Sequence, residues 1–280
     1  MLAVVSAAAE TIFVPLTIGG GIKDTVDPDG TPRSALDVAG AYFRSGADKV
    51  SIGSDSVFAV EALLARQASG ETPLLTGLTG IETISRAYGA SAVVVSLDPK
   101  RVYVPADVDP ASLGPHAKSL IIGSKARGNV TEEERGKAWW YQCTVMGGRD
   151  VRDVDVVQLA QGVELLGAGE ILLNSVDRDG SGRGFDLDLI QLVKDAVNIP
   201  VVASSGAGKV EDFGEVFRET EVEAGLAAGI FHRSEVPIQV SHPFAGACSR
   251  MSPDQGRSCT DHRPLLTRDQ PRHRRTSSRT

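Results

Sequence analysis

The chain has 280 residues, of which 41% are apolar and 23% charged, enough to bury a full core within one domain. A net charge of −7 provides no overall positive field for nucleic acid or an anionic membrane, so small molecules are the expected partners. Cys143, Cys248 and Cys259 are odd in number, far apart and outside any CxxC, which argues against a disulfide framework or a zinc site and for a reducing, cytoplasmic setting.

The opening MLAVVSAAAE has no positive segment before its apolar part and reads as the end of a helix, not as a signal peptide. No later run approaches the roughly 20 apolar residues of a membrane span. IFVPLTIG (12–19) is the first strand, and it runs into glycines 19–21 and then Ile-Lys-Asp. Glycines directly after a buried strand let backbone N–H groups approach an anion without Cβ obstruction, although a tight turn would use them equally well. SALDVAGAYFRSG has helical spacing with a closing glycine, and KVSIG (49–53) is the second strand, with Lys49 at its start and Gly53 and Ser54 at its end.

The third strand, AVVVSLD (92–98), is an uninterrupted β-branched run that ends on a carboxylate, Asp98. At the mouth of an apolar barrel such a group suits acid–base chemistry, because desolvation moves a carboxyl toward the working range; the bland alternative is a salt bridge to Lys100 or Arg101. From about 105 to 151 the alternation stops, and the Trp139–Trp140 region suggests a small inserted strand pair. Those two tryptophans are expected to pack rather than to hold a ligand.

Helix DVVQLAQGVELLG leads to EILLNSVD (170–177), which starts on Glu170 and is followed by Asp177, Asp179 and a glycine-flanked Arg183 in a loop expected to be mobile. Helix DLDLIQLVKDAV leads to IPVVASS (199–205), whose GAGK extension repeats the first glycine loop, and AGLAAGI (224–230) is the last strand. The five histidines show no metal spacing, and His232 is expected to be structural. From Val240 on, eight Arg against three Asp with little apolar periodicity read as a disordered basic tail, so the expected domains are 1–239 and 240–280.

Strands alternating with helices imply a parallel sheet. GASAVVVSLD resembles GAGEILLNSVD, and VPLTIGGGIKD resembles IPVVASSGAGKVED, which indicates duplicated βα modules and favours a (β/α)8 barrel of two half-barrels over an open sheet. In that numbering the six strands are the third to eighth, and two more are expected to precede Met1. Ligands of such barrels sit at the C-terminal strand ends, where Asp98, Asp177, Asp179, Gly21, Gly53, Ser54, Gly206 and Gly229 all fall. Two glycine loops in equivalent half-barrel positions make a doubly phosphorylated ligand the expectation. Lys49 and Glu170 fall at the opposite end, where charges usually serve solubility or subunit contact.

VPLTIGGGIKD, SGADKVSIG, AVVVSLDPKR, LGAGEILLNSVDRDGSGRGFD, IPVVASSGAGK and LAAGIFH, spread over about residues 10–237, resemble the cyclase part of imidazole glycerol phosphate synthase, a histidine-biosynthesis enzyme. The GKAWWYQCTVMGG insert resembles the eukaryotic form, in which a glutaminase is fused ahead of the barrel. The resemblance implies that ammonia from the glutaminase meets a bis-phosphorylated formimino-aminoimidazole-carboxamide ribonucleotide, giving imidazole glycerol phosphate and the aminoimidazole-carboxamide ribonucleotide with no cofactor and no metal. It implies Asp98 as one of two catalytic aspartates, Gly21, Gly53 and Ser54 as one phosphate site, and Asp179, Gly180, Gly206, Ala228 and Gly229 as the other. Gly53 stands where the family usually has Asn, which weakens that contact. The resemblance also implies Lys49 and Glu170 as members of an ammonia gate in the barrel floor, reversing the reading from position alone. With the family's first two strands and its other aspartate not among these residues, impaired activity and a tendency to oligomerise are expected. A non-catalytic phosphate-ligand binder and the sister isomerase on the same fold are the alternatives.

Overall fold

The computed structural model describes residues 1–237. Helix α1 (Leu2–Ala9) precedes β1 (Thr17–Gly19), a small hairpin of β2 (Thr25–Val26) and β3 (Pro32–Arg33), α2 (Ala35–Arg44), β4 (Lys49–Ile52), α3 (Ser54–Ser69), α4 (Gly80–Tyr88) and β5 (Val93–Leu97). An insert follows with β6 (Pro99–Pro105), β7 (Ile121–Ile122), α5 (Glu132–Arg135), β8 (Lys137–Val145) and β9 (Asp150–Asp155). The alternation then resumes with α6 (Val156–Leu166), β10 (Glu170–Asn174), α7 (Leu187–Ala196), β11 (Val201–Ser204), α8 (Val210–Glu219), β12 (Ala224–Gly225) and α9 (Gly229–His232).

Six of these strands form one parallel sheet in the order β1-β4-β5-β10-β11-β12. Each neighbour in space is the next sheet strand in sequence, as right-handed βαβ crossovers produce in barrel-type folds. The period of two along each strand separates the faces. Val50, Ile52, Val93, Val95, Leu97, Ile171, Leu173 and Ala203 are buried at 2% exposure or less and face the helices. Removing each large member of that set from water contributes about 1.5–3 kcal/mol. Residues of the other parity, among them Thr17, Ser51, Val94, Ser96, Leu172 and Val202, wall a cavity of about 800 Å³. An apolar run legible as a doubly buried strand thus has a helix-packed face and a cavity-lining face.

The helices start where capping side chains satisfy free N–H groups: Ser34 with Asp37, Thr79 with Glu82, and Asp155 with Gln158 each form a reciprocal box. Helix α6 approaches α3 closely because Gly162 has no side chain; a Cβ there would sit 2.6 Å from Val60 Cγ1.

The six expected strands are all present but shorter than read. Only Thr17–Gly19 of 12–19 is strand, and of 224–230 only Ala224–Gly225 is strand, the rest turning into α9. The insert is larger than a strand pair. It begins immediately after Asp98 and forms a four-stranded antiparallel sheet in which β8 pairs with β6, β7 and β9. Trp139, Tyr141 and Cys143 on β8 are fully buried, so the tryptophan pair packs as expected. The tail from 240 lies outside the described residues.

Candidate functional site

The C-terminal ends of the sheet strands place the expected rim residues, Asp177 apart, in two adjoining pockets. Gly21, Gly53, Ser54 and Asp98 line the central cavity, together with Lys23, Asp55 and Gly147. Asp179, Gly180, Gly206, Ala228 and Gly229 line a neighbouring pocket of about 480 Å³, with Arg233 and Glu235 at its edge. Leu226 borders both. The two groups assigned to separate phosphate sites are therefore two separate cradles on one rim.

Asp98 follows the last residue of β5, and its carboxylate accepts a 2.6 Å hydrogen bond from Asn174 Nδ2 at the end of β10. The same amide donates to Ser96 Oγ at 3.1 Å. Thr144 of the insert fixes the backbone here, donating to the Asp98 carbonyl through its hydroxyl at 2.6 Å and its N–H at 3.2 Å. The ion pair weighed against catalysis does not form. Arg101 is 4% exposed and points the other way, to Asp186 at 2.8 Å and Glu134 at 3.0 Å.

The repeat comparison paired Asp98 with Asp177, and the register corrects it. Leu97 is opposite Leu173, so Asn174 lies beside Asp98 and Asp177 is three residues beyond the strand. Asp177 instead accepts the backbone N–H of Arg101 at 2.8 Å, tying the β10 loop to the insert. Asn174 was missed, although Glu170, Leu172 and Asn174 share the parity of the inward face.

In the first cradle, Gly20 and Gly21 have φ of +98° and +70°, a backbone that L side chains rarely adopt, and it turns the chain from β1 toward Ile22. Gly53 caps α3, whose first turn carries Ser54 and Asp55. The Lys23 side chain and the α3 amides supply positive potential there. Burial pushes the Asp55 carboxyl up; Lys23 pulls against this and Asp24 adds to it.

The second cradle is built from backbone packed on backbone. Gly206 has φ +96°, accepts the Gly184 N–H at 2.8 Å and leaves no room for a side chain, since a Cβ would lie 2.2 Å from the Gly184 carbonyl oxygen. Arg183, expected on a mobile loop, is tethered by the insert through Glu134 at 3.1 Å. Burial alone would raise the Glu134 carboxyl, but bonds from the Thr131 N–H and hydroxyl, with the charges of Arg101 and Arg183, hold it at about 2. Behind it, burial works against the Arg101 charge and is outweighed by Asp186 and Tyr141, so its pKa rises. Tyr141 donates to Asp186 at 2.9 Å, and the Trp139 ring lies 4.3 Å from the guanidinium.

At the opposite ends of the strands, Lys49 Nζ meets Glu170 Oε2 at 2.5 Å, with both side chains partly exposed. They reach each other across the foot of β5, and Glu170 lines the central cavity from below. His232 lies in α9 and does not line either pocket. Among the described residues, no three His, Cys, Asp or Glu side chains converge on a metal position, and no helix is long and apolar enough to cross a membrane.

A parallel sheet with helices on its outer face and its candidate site at the C-terminal strand ends places the protein in the α/β class that includes the TIM barrels. The chain belongs to the histidine biosynthesis protein family, which it matches over residues 1–237. It is 54% identical over 240 residues to imidazole glycerol phosphate synthase hisHF of Schizosaccharomyces pombe, an alignment covering 85% of this chain and 41% of the relative. The chloroplastic hisHF of Arabidopsis thaliana is 51% identical over 241 residues, covering 85% and 38%. The HisF subunit of Haloquadratum walsbyi is 36% identical over 244 residues, covering 87% of this chain and 72% of that one. The chain thus spans about two fifths of the length of the fused relatives, and the resemblance seen in its motifs, to the cyclase part of these synthases, holds.

Proposed function

We propose that this chain carries the cyclase chemistry of imidazole glycerol phosphate synthesis. Its substrates in this reading are ammonia and the bis-phosphorylated formimino-aminoimidazole-carboxamide ribonucleotide. Its six parallel strands correspond to the third to eighth of a (β/α)8 barrel. The observation that carries the reading is the position of Asp98. A carboxylate held by Asn174 stands in the same cavity as Gly21, Gly53 and Ser54, beside a second glycine-lined pocket.

The two cradles hold the ligand's phosphoryl ends through backbone N–H groups, Ser54 and the α3 N-terminus, leaving the reacting centre over the mouth of the sheet. Asn174 donates to one carboxylate oxygen of Asp98 and leaves the other for proton transfer with the ligand. Thr144 fixes the backbone at Asp98, and Asp98 lines the cavity. The Lys49–Glu170 pair closes the floor, and as members of a gate the two side chains part to admit ammonia from a glutaminase partner.

The test is turnover of the bis-phosphorylated ribonucleotide with an ammonium salt, for the chain and its Asp98→Asn variant. The variant keeps the shape and is expected to lower kcat about 10²- to 10⁴-fold with KM little changed. Equal rates in both would remove Asp98 from the chemistry. Ligand binding without turnover in the unsubstituted chain would favour a non-catalytic phosphate-ligand binder, and turnover of the isomerase's precursor would favour the sister enzyme.

A further inference from the structure

The antiparallel insert touches both cradles. At one end the turn between β8 and β9 lies against the first: Met146 N donates to Ser54 Oγ at 2.9 Å, and Gly147 lines the central cavity. A hydroxyl oxygen that accepts a backbone N–H still has its own hydrogen to give, so this contact orients Ser54 as a donor. At the other end the segment before β8 holds the loop that presents Asp179 and Gly180. The Asn129 carbonyl accepts from Arg178 Nη2 at 2.7 Å, and Asn129 Nδ2 donates to the Arg183 carbonyl at 2.9 Å. Glu134 accepts from Arg183 at 3.1 Å and from Arg101 at 3.0 Å.

Arg178 decides how firm this tie is. It is 2% exposed and pairs with no carboxylate among the described residues, so backbone carbonyls of Asn129 and Arg183 satisfy it. A buried guanidinium stripped of partners is strongly destabilising, and the loop therefore keeps its shape only while the insert keeps its own. Between the two ends, β6 and β8 pair over seven positions from Pro99–Cys143 to Pro105–Lys137, a stiff connection.

We infer that the insert is a brace that fixes the separation of the two cradles, with Asn129 and Glu134 as positioning residues, so that the rim selects ligands carrying two phosphoryl groups at one spacing. The inference rests on the proposed reading of the cradles as phosphate sites. Once one phosphoryl group is seated, the second finds its cradle at high effective concentration only if the spans match, and a loosened loop loses that advantage without losing either cradle.

The test is calorimetric titration of the full chain, Asn129→Ala and Glu134→Gln with the bis-phosphorylated ribonucleotide, alongside inorganic phosphate followed by phosphorus NMR. Each variant is expected to bind the bis-phosphate about tenfold more weakly while its phosphate affinity stays within about twofold, and Glu134→Asp is expected to recover part of the loss. Asn129 is exposed, so its variant keeps the test open should Glu134→Gln fold poorly. Unchanged binding of the bis-phosphate, or equal weakening of both ligands, would overturn the brace. If the unsubstituted chain bound neither ligand, the phosphate reading itself would fall, and the brace with it.

Discussion

The two cradles use glycine for different physical reasons. In the first, a Cβ on Gly20 or Gly21 would meet nothing within 4 Å, so the requirement there is the left-handed backbone alone. In the second, Gly206 and Gly208 press on the carbonyl oxygens of Gly184 and Gly182, where a Cβ would come within 2.2 and 2.4 Å. The first cradle is thus a turn with open space in front of it. The second is two loops packed face to face and held from behind by the insert.

The sharpest way to test that difference is Gly206→Ala, which adds a steric overlap with the main chain to the strain of φ +96°. It is expected to cost roughly 3 kcal/mol or more, read as a lower denaturation midpoint with unchanged m-value. A smaller effect follows for Glu134→Gln. The folded carboxyl titrates near 2 against an ordinary 4.5, so its contribution is fully present above about pH 4.5 and is lost as pH falls through about 2. The stability gap between the unsubstituted chain and the variant, measured by denaturant titration, should therefore be constant near neutrality and close in acid. A gap that widened in acid would contradict the ion-pair account of this tether. Gly21→Ala should have the least effect, about 1–2 kcal/mol of backbone strain with no overlap. If it matched Gly206→Ala, the contrast between an open and a packed cradle would be wrong.

What could be read in advance follows how local each signal is. The six sheet strands are largely apolar runs with the glycine loops and Asp98 at their ends, so most rim residues were legible by position, while Gly180 and Ala228 came only from the resemblance. The error over Asp177 came from aligning two repeats by their terminal aspartates; hydrogen-bond register, which sequence does not carry, puts Asn174 beside Asp98. The insert was underestimated because β6 and β9 carry charged residues along their length (Lys100 and Arg101; Asp150, Arg152, Asp153 and Asp155), with nothing in their own residues to show that both pair with β8. Arg101, which the bland alternative offered with Lys100 as a partner for Asp98, pairs instead with Asp186, 85 positions away.

Sequence by itself determined the parallel order of the sheet, the glycine-rich rim and the carboxylate at position 98, because strand propensity and φ requirements act within a few residues. Only the tertiary structure decided that one cradle is an open turn and the other two packed loops, that Asn174 stands on Asp98, and that the insert reaches both cradles. Those arrangements depend on register and on contacts between distant segments. Their energies come from groups that find each other only once the sheet has formed.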